Sequence, residues 1–377
     1  MKVLLYTEGL KKVGKSGLGK AVQHQINALE ENHIEYSLDP KDLKECDIVH
    51  INWYLLKSYF LAKKAKKMGK KIVYHAHSTK EDFMNSFKFS NVVAPIFKWW
   101  ISKCYRLGDV IITPTEYSKR LLEDYHLNRP IYAISNGIHV PFFEKNESYR
   151  KEFRKKYHYQ DHDKVIMGVG LYLKRKGILD FVELAKRMPE YKFIWFGYLD
   201  LKLVPKEIKV AVETKLDNLK FAGYVEQEEL RKAYSSCDLY LFPTLEETEG
   251  IPILEALVER IPTLVRDIPV FEEYEENKAV YKAKTIEEFE EKIKNILEKK
   301  LPSLEEYGYQ VAIQKDTKKV GKQLIEVYKS LLGESKWFFF IRNVRLKFTI
   351  KPKIWYYVNT IGNTIGDDKW WRKQDLH

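Results

Sequence analysis

The sequence predicts an α/β protein of two units, each built on a sheet of parallel strands, facing one another across a cleft. Three observations carry that expectation. At 377 residues the chain exceeds what one ordinary core serves. Short apolar runs alternate with helical stretches along most of its length, the pattern of parallel strands joined by crossover helices. The opening plan of strand, glycine-bearing loop and helix also occurs twice, at residues 2–29 and again at residues 165–187.

In the first cycle, the β-like run at residues 2–6 is followed by Gly9, Gly14, Gly17 and Gly19, then by a helical pattern over residues 21–29. Residues 47–53, 71–78, 110–115 and 131–134 read as further strands, with a helix over 116–125 and a turn at Asn136-Gly137. The third strand ends in His75 and His77, which alternation places on one face. Ligands of open parallel sheets lie beyond the carboxyl ends of the strands, which is where His77 falls. The charged stretch 144–163 lacks sheet character and reads as the linker, giving an N-terminal domain of 1–150 and a second domain of 151–310. The second cycle has a strand at 165–170, a basic loop at 171–177, a helix at 178–187 and strands at 193–197, 219–223, 239–243 and 263–265, with a helix near 226–235. Helices are expected at 284–300 and 309–332; residues 311–335 form a helix returning to the first domain, and 336–377 an aromatic and basic tail.

The stretch from Glu246 to Leu257 follows the 239–243 strand and carries the densest site signal. Gly250 suits an N-cap and Pro252 the first helical turn, so a helix should start near Ile251 with its free N–H groups aimed at an anion such as a phosphate. Glu247 then stands before that mouth, and Glu255 lies about one turn inside, where it can accept hydrogen bonds from ligand hydroxyls. A capped helix with solvated glutamates is the plainer alternative.

Composition narrows the partners. A formal charge of +12 favours anions: nucleic acid, an acidic membrane or phosphorylated substrates. Cys46, Cys104 and Cys237 have neither disulfide nor zinc spacing, as expected of a reduced cytoplasmic protein. No uncharged run approaches the ~20 residues of a spanning helix, so membrane contact would be peripheral. Residues 9–16 fit the P-loop pattern, but Gly17 and Gly19 oppose a helix starting there, and no second Mg-binding aspartate ends an apolar strand. Paired tryptophans beside basic residues suit single-stranded nucleic acid, yet no nucleic-acid module accompanies them and no such partner is expected.

An ordered series of residues resembles the retaining glycosyltransferases of family four, which share the two-Rossmann GT-B fold. It comprises Ser16-Gly17-Leu18-Gly19, His77, Ser135-Asn136-Gly137-Ile138, Val169-Gly170 with Lys176-Gly177, Phe221 to Val225, Cys237-Asp238 to Pro243, and Glu247 to Glu255, over roughly residues 1–332. The resemblance implies a UDP-sugar donor. It makes His77 and Glu247 catalytic, and assigns donor binding to Gly17, Gly19, Gly170, Arg175, Lys176, Thr248, Glu249, Gly250, Ile251 and Glu255. Leu171 stands where the family carries arginine, so Arg175 is the candidate for the second positive charge. His139 replaces a usual aspartate, and Thr248-Glu249 a usual Gly-Phe. No metal or cofactor is expected, because lysine, arginine and a helix mouth already supply positive charge to the leaving diphosphate.

Residues 75–83 and 266–272 are similar to the bacterial diacylglycerol glycosyltransferases. That likeness implies transfer from UDP-glucose or UDP-galactose to glucosyl-diacylglycerol, a product that anchors lipoteichoic acid, on the inner face of the cell membrane. A polysaccharide or soluble acceptor is the near alternative; the oligomeric state is left open. For an anionic membrane surface the sequence offers Phe97, Lys98, Trp99, Trp100 and Lys103 in one segment, and Trp337, Arg342, Trp370 and Trp371 in the tail. The first segment reads equally well as core.

Overall fold

The structure is a computed structural model that describes residues 1–10, 14, 16–87 and 89–334. Residues 1–328 form one compact body with two six-stranded sheets. The strands of the first are β1 Lys2–Tyr6, β2 Glu35–Ser37, β3 Ile48–Ile51, β4 Lys71–His75, β5 Val110–Thr113 and β6 Ile131–Ala133, in the order β2-β1-β3-β4-β5-β6. Those of the second are β7 Val165–Val169, β8 Lys192–Phe196, β9 Leu219–Gly223, β10 Leu239–Phe242, β11 Thr263–Arg266 and β12 Tyr281–Ala283, in the order β12-β11-β10-β7-β8-β9. Every pairing is parallel. Strands β3, β5, β7 and β10 are buried at every residue, as sheets covered on both faces require, which is why they stand out as continuous apolar runs. The short edge strands β2 and β12 are absent from the sequence reading.

Each sheet reverses direction once. The chain places β2 on one side of β1 and β3 on the other; likewise β8 lies on one side of β7 and β10 on the other. Such a switch point opens a crevice at the strand carboxyl ends, between β1 and β3 in one sheet and between β7 and β10 in the other.

Six helices bear on the site: α1 Gly17–Glu31, α2 Leu56–Lys67, α3 Ser90–Tyr105, α4 Tyr149–Tyr157, α5 Ile251–Val258 and α6 Thr317–Leu332. Three depart from expectation. Helix α1 begins at Gly17 itself, with the Ser16 hydroxyl accepting from Gly19 N at 3.4 Å. Two glycines cost about 2 kcal/mol of helix propensity, and burial of Ala21, Val22, Ala28 and Leu29 outweighs it. The expected linker contains α4, whose charged residues are one face of an amphipathic helix. Its other face buries Phe153, and Arg154 pairs with Asp238 at 3.2 Å. Ile138 and Phe143 already lie in the second domain's core, so the chain crosses between domains near Gly137 rather than at residue 150. Finally, the expected 309–332 helix is broken. Glu305–Ala312 and α6 are separate because the intervening backbone pairs with the crossing strand: Ile138 N donates to Lys315 O at 2.9 Å, and Thr317 N to Ile138 O at 3.0 Å.

Helix α6 returns to the first domain as expected. The Thr317 hydroxyl donates to Glu31 at 2.8 Å, Asn32 Nδ2 to Lys318 O at 3.1 Å, and the Tyr328 hydroxyl lies 2.6 Å from His50 Nδ1.

Candidate active site

The switch point of the second sheet collects the basic loop and the glutamate loop. Gly170 follows β7 and Pro243 follows β10, so the segments after them face each other. They are stitched by the Arg175 carbonyl, which accepts from Leu245 N at 2.7 Å and from the Thr244 hydroxyl at 3.0 Å. Gly177 permits this approach: its φ is +75°, and a Cβ there would sit 2.1 Å from Pro243 O. The result places Lys176 Nζ on Glu247 Oε1, with Thr244 Oγ1 lying 3.1 Å from the same oxygen. Arg175 Nη1 is 3.6 Å from Glu247 Oε2. Burial alone would raise the Glu247 carboxyl, but Lys176 and Arg175 outweigh it and hold the group below its ordinary value. Glu247 is therefore an ionised, nearly buried carboxylate.

The Arg175 guanidinium reaches across the cleft. It meets Asp82 at 3.0 Å, the Ser86 hydroxyl at 3.1 Å and Glu246 O at 2.9 Å. Glu246, beside it, is pushed up to about 7 by burial, against the Tyr117 hydroxyl that donates to it at 2.9 Å.

Helix α5 begins as the sequence predicts, with Gly250 as N-cap at φ +92° and Pro252 in the first turn, and no side chain caps it. Its glutamates differ from expectation in their partners. Glu255 is fully buried; Oε1 accepts from Lys20 Nζ at 2.6 Å and Oε2 from the Tyr234 hydroxyl at 2.9 Å. The carboxylate of Glu249, a residue expected to hold donor, is engaged between the domains. It accepts from the Ser135 hydroxyl, from Asn136 N at 3.1 Å and from Asn136 Nδ2 at 2.7 Å. Both its oxygens are thus taken by the turn at which the chain crosses.

On the opposite wall, at the ends of β3 and β4, His77 Nε2 lies 2.8 Å from Asn52 Oδ1 and its ring stacks on His75 at 4.0 Å. Gln25 Nε2 bonds both Asn52 Oδ1 and His75 Nδ1 at 2.9 Å. Burial drives His77 and His50 down to about 3, so both rings are neutral at physiological pH. Gln25 Oε1, Asn52 Nδ2 and His75 Nε2 are buried without a partner among the described residues, the chemistry that sugar hydroxyls or water satisfy. The His77 carbonyl faces Thr248 Oγ1 at 3.5 Å, and Thr115 Oγ1 donates to Thr248 O at 2.8 Å.

The fold thus brings together His77, Thr248, Glu247, Lys176, Arg175, Gly170, Gly250, Ile251 and Glu255, and sets Gly17 and Gly19 beside them through Lys20. Sequence reading missed Lys20, Asp82, Glu246 and Tyr117. Only Lys20 carries a local signal, as the cation directly after the glycine pair. Among the described residues no three His, Cys, Asp or Glu side chains are grouped to hold a metal.

The aromatic helix divides between its two readings. Phe97 stacks on Phe83 at 4.1 Å, Trp100 Nε1 donates to Tyr54 O at 2.7 Å, and Lys98 lies over the Tyr125 ring at 4.1 Å. These three are turned onto their own domain, a correction to their expected membrane role. Phe89, the N-cap of α3, and Val92, Ile96 and Trp99 within it are exposed, with Lys103 5.1 Å from the Trp99 ring. The Tyr59–Trp100 contact at 5.3 Å sets α2 alongside, and Leu56 and Phe60 of that helix are exposed too. Among the described residues no helix is long and apolar enough to cross a membrane. Trp337, Arg342, Trp370 and Trp371 lie outside the described residues.

Two parallel sheets with facing switch points, one wall holding a stacked histidine and the other a lysine, a glutamate and an open helix mouth, define a GT-B glycosyltransferase. A family profile described as glycosyl transferases group 1 matches residues 149–313, and one described as glycosyltransferase family 4 matches residues 34–141. The chain is 39% identical over 336 residues to the processive diacylglycerol alpha-glucosyltransferase of Acholeplasma laidlawii, covering 88% of this chain and 99% of that protein. It is 25% identical over 279 residues to the alpha-galactosylglucosyldiacylglycerol synthase of Streptococcus pneumoniae, covering 69% and 71%. HepE of Anabaena, solved in complex with UDP-glucose, superposes with a TM-score of 0.70 at 16% identity, covering 88% of this chain and 100% of that one. The chain belongs to the group 1, family 4 glycosyltransferases.

Proposed function

We propose that the protein transfers a hexose from UDP-glucose or UDP-galactose, with retention of configuration, to a membrane glycolipid, glucosyl-diacylglycerol above all. One observation carries the reading: Lys176, Glu247 and the uncapped start of α5 converge at the switch point of the second sheet, opposite His77. Breaking a sugar–phosphate bond builds negative charge on the departing UDP, which a lysine and a helix N-terminus stabilise in place. Glu247 and His77 would meet the hexose, and Glu255 the ribose hydroxyls. The names of the relatives support the lipid acceptor, and that of the Acholeplasma enzyme favours a second reading in which diacylglycerol itself accepts the first sugar. No metal is needed for this chemistry, since the protein supplies the cations.

The lipid would be met at the joint surface of α2 and α3. Leu56, Phe60, Phe89, Val92, Ile96 and Trp99 form its apolar part, and Lys63, Lys66 and Lys67 line a shallow groove of about 260 Å³ beside it. The tail beyond Gly333 would add to that contact at the inner face of the cell membrane. Labelled UDP-glucose and UDP-galactose, offered with diacylglycerol, glucosyl-diacylglycerol or a soluble oligosaccharide, test the activity, with the product's anomeric configuration read by NMR. Transfer to the oligosaccharide alone, or an inverted product, would overturn the reading. The Phe60→Ser, Ile96→Ser, Trp99→Ser triple variant should lose sedimentation with anionic vesicles while keeping its melting temperature.

A further inference from the structure

Lys20 is the charged contact that the donor reading leaves without a task. It lies in the first turns of α1, four residues past the Ser16 cap, and bonds Glu255, five residues past the Gly250 cap of α5. A single ion pair of 2.6 Å between residues 235 apart therefore ties the N-terminal halves of two helices, one from each domain, across the cleft. Both ends carry positive partial charge, and the space they flank is suited to an anion.

Glu255 itself has no exposed surface, and its two oxygens are satisfied by Lys20 and Tyr234. A ribose can reach that carboxylate only by taking the place of the lysine. The lysine cannot leave altogether, because a buried carboxylate stripped of its counter-charge is strongly destabilised. Its ammonium does remain partly open to solvent, on a flexible four-carbon stem that can swing while its charge stays near.

We propose that Lys20 is a latch exchanged by the donor: it closes the two domains on Glu255, yields that carboxylate to the ribose hydroxyls as the nucleotide enters, and turns onto the diphosphate. Lys20 is then a second diphosphate ligand, supplied by the first domain and complementing Lys176 from the second. This rests on the donor reading above, and it predicts that the lysine opposes one part of the nucleotide while favouring another.

The test compares the affinities of UDP and uridine by titration calorimetry for the wild type, Lys20→Met and Lys20→Gln. The glutamine variant keeps a hydrogen-bond donor toward Glu255 and guards against loss of the fold. UDP should bind each variant at least about tenfold more weakly, the scale of one charge-assisted contact. Uridine, which has no phosphate to gain the lysine and has only the latch to displace, should bind equally well or more tightly. Weakening of both ligands in the same proportion would reduce Lys20 to a structural strut, and unchanged UDP affinity would remove it from the diphosphate. Failure of the wild type to bind UDP would instead overturn the donor reading itself.

Discussion

Lys176→Met should slow sugar transfer about a hundredfold at a modest loss of stability, and the structure says why the two effects separate. Lys176 pairs with Glu247, whose side chain is only 8% exposed, but Arg175 stands 3.6 Å from that carboxylate's other oxygen. At an effective dielectric of about 20, unit charges at that distance interact by about 4–5 kcal/mol, so Glu247 keeps a counter-ion when the lysine is lost. The stability cost should then be on the order of 1–3 kcal/mol, below the ~3–5 kcal/mol of stripping a buried pair altogether. Charge developing on the leaving diphosphate has no such substitute, because the Arg175 guanidinium is already divided among Asp82, Ser86 and Glu246 O. Removing one cation from a transition state costs on the order of 3 kcal/mol, which is the hundredfold. Initial rates with labelled UDP-glucose, beside calorimetric melting, measure both. Lys176→Met, Glu247→Gln should recover most of the melting temperature and none of the rate. A Lys176→Met enzyme that melts early yet turns over within about threefold of wild type would show that the lysine serves Glu247 and not the donor.

Gly177→Ala forces a side chain into left-handed backbone 2.1 Å from Pro243 O, and should destabilise by at least about 2 kcal/mol in urea unfolding while disordering the basic loop and abolishing transfer. Stability should peak near pH 6.5. Buried His50 and His77 (both to about 3) and His24 (to about 4) are depressed from 6.5, so the unfolded chain binds the extra protons and their stabilisation, complete above pH 6.5, is lost on acidification toward those values. Glu246 (to about 7) and Glu259 (to about 8) are raised from 4.5, so their contribution, complete below pH 4.5, is lost as pH rises through 7 and 8. Above pH 6.5 only the second slope remains, and Glu259→Gln should flatten it in denaturation curves taken from pH 5 to 9. EDTA should leave transfer unchanged; activity lost to chelator and restored by Mg²⁺ or Mn²⁺ would contradict the metal-free reading.

The sequence by itself determined the two parallel sheets, because strands buried on both faces must be apolar at nearly every position, and β3, β5, β7 and β10 are. It also located the start of α5, since Gly250 and Pro252 act within one turn of chain. Residue types placed Glu247 before the mouth of that helix, and an ordered series of motifs singled out Lys176 and placed the family. Tertiary structure alone decided which partner each charge takes. Nothing local distinguishes Glu249, which clamps the Ser135-Asn136 turn, from Glu247, which meets Lys176, because both lie in one loop and their partners come from elements distant in sequence. The same holds for Lys20 on Glu255 and for Arg175 on Asp82. It holds for α3 as well: Phe97 and Trp100 turn inward and Trp99 outward according to where Phe83 and Tyr54 lie, which neither hydrophobicity nor helical spacing encodes. Local sequence fixes the period and the ends of an element; the direction a charged or aromatic side chain faces is set by the neighbours that folding brings to it.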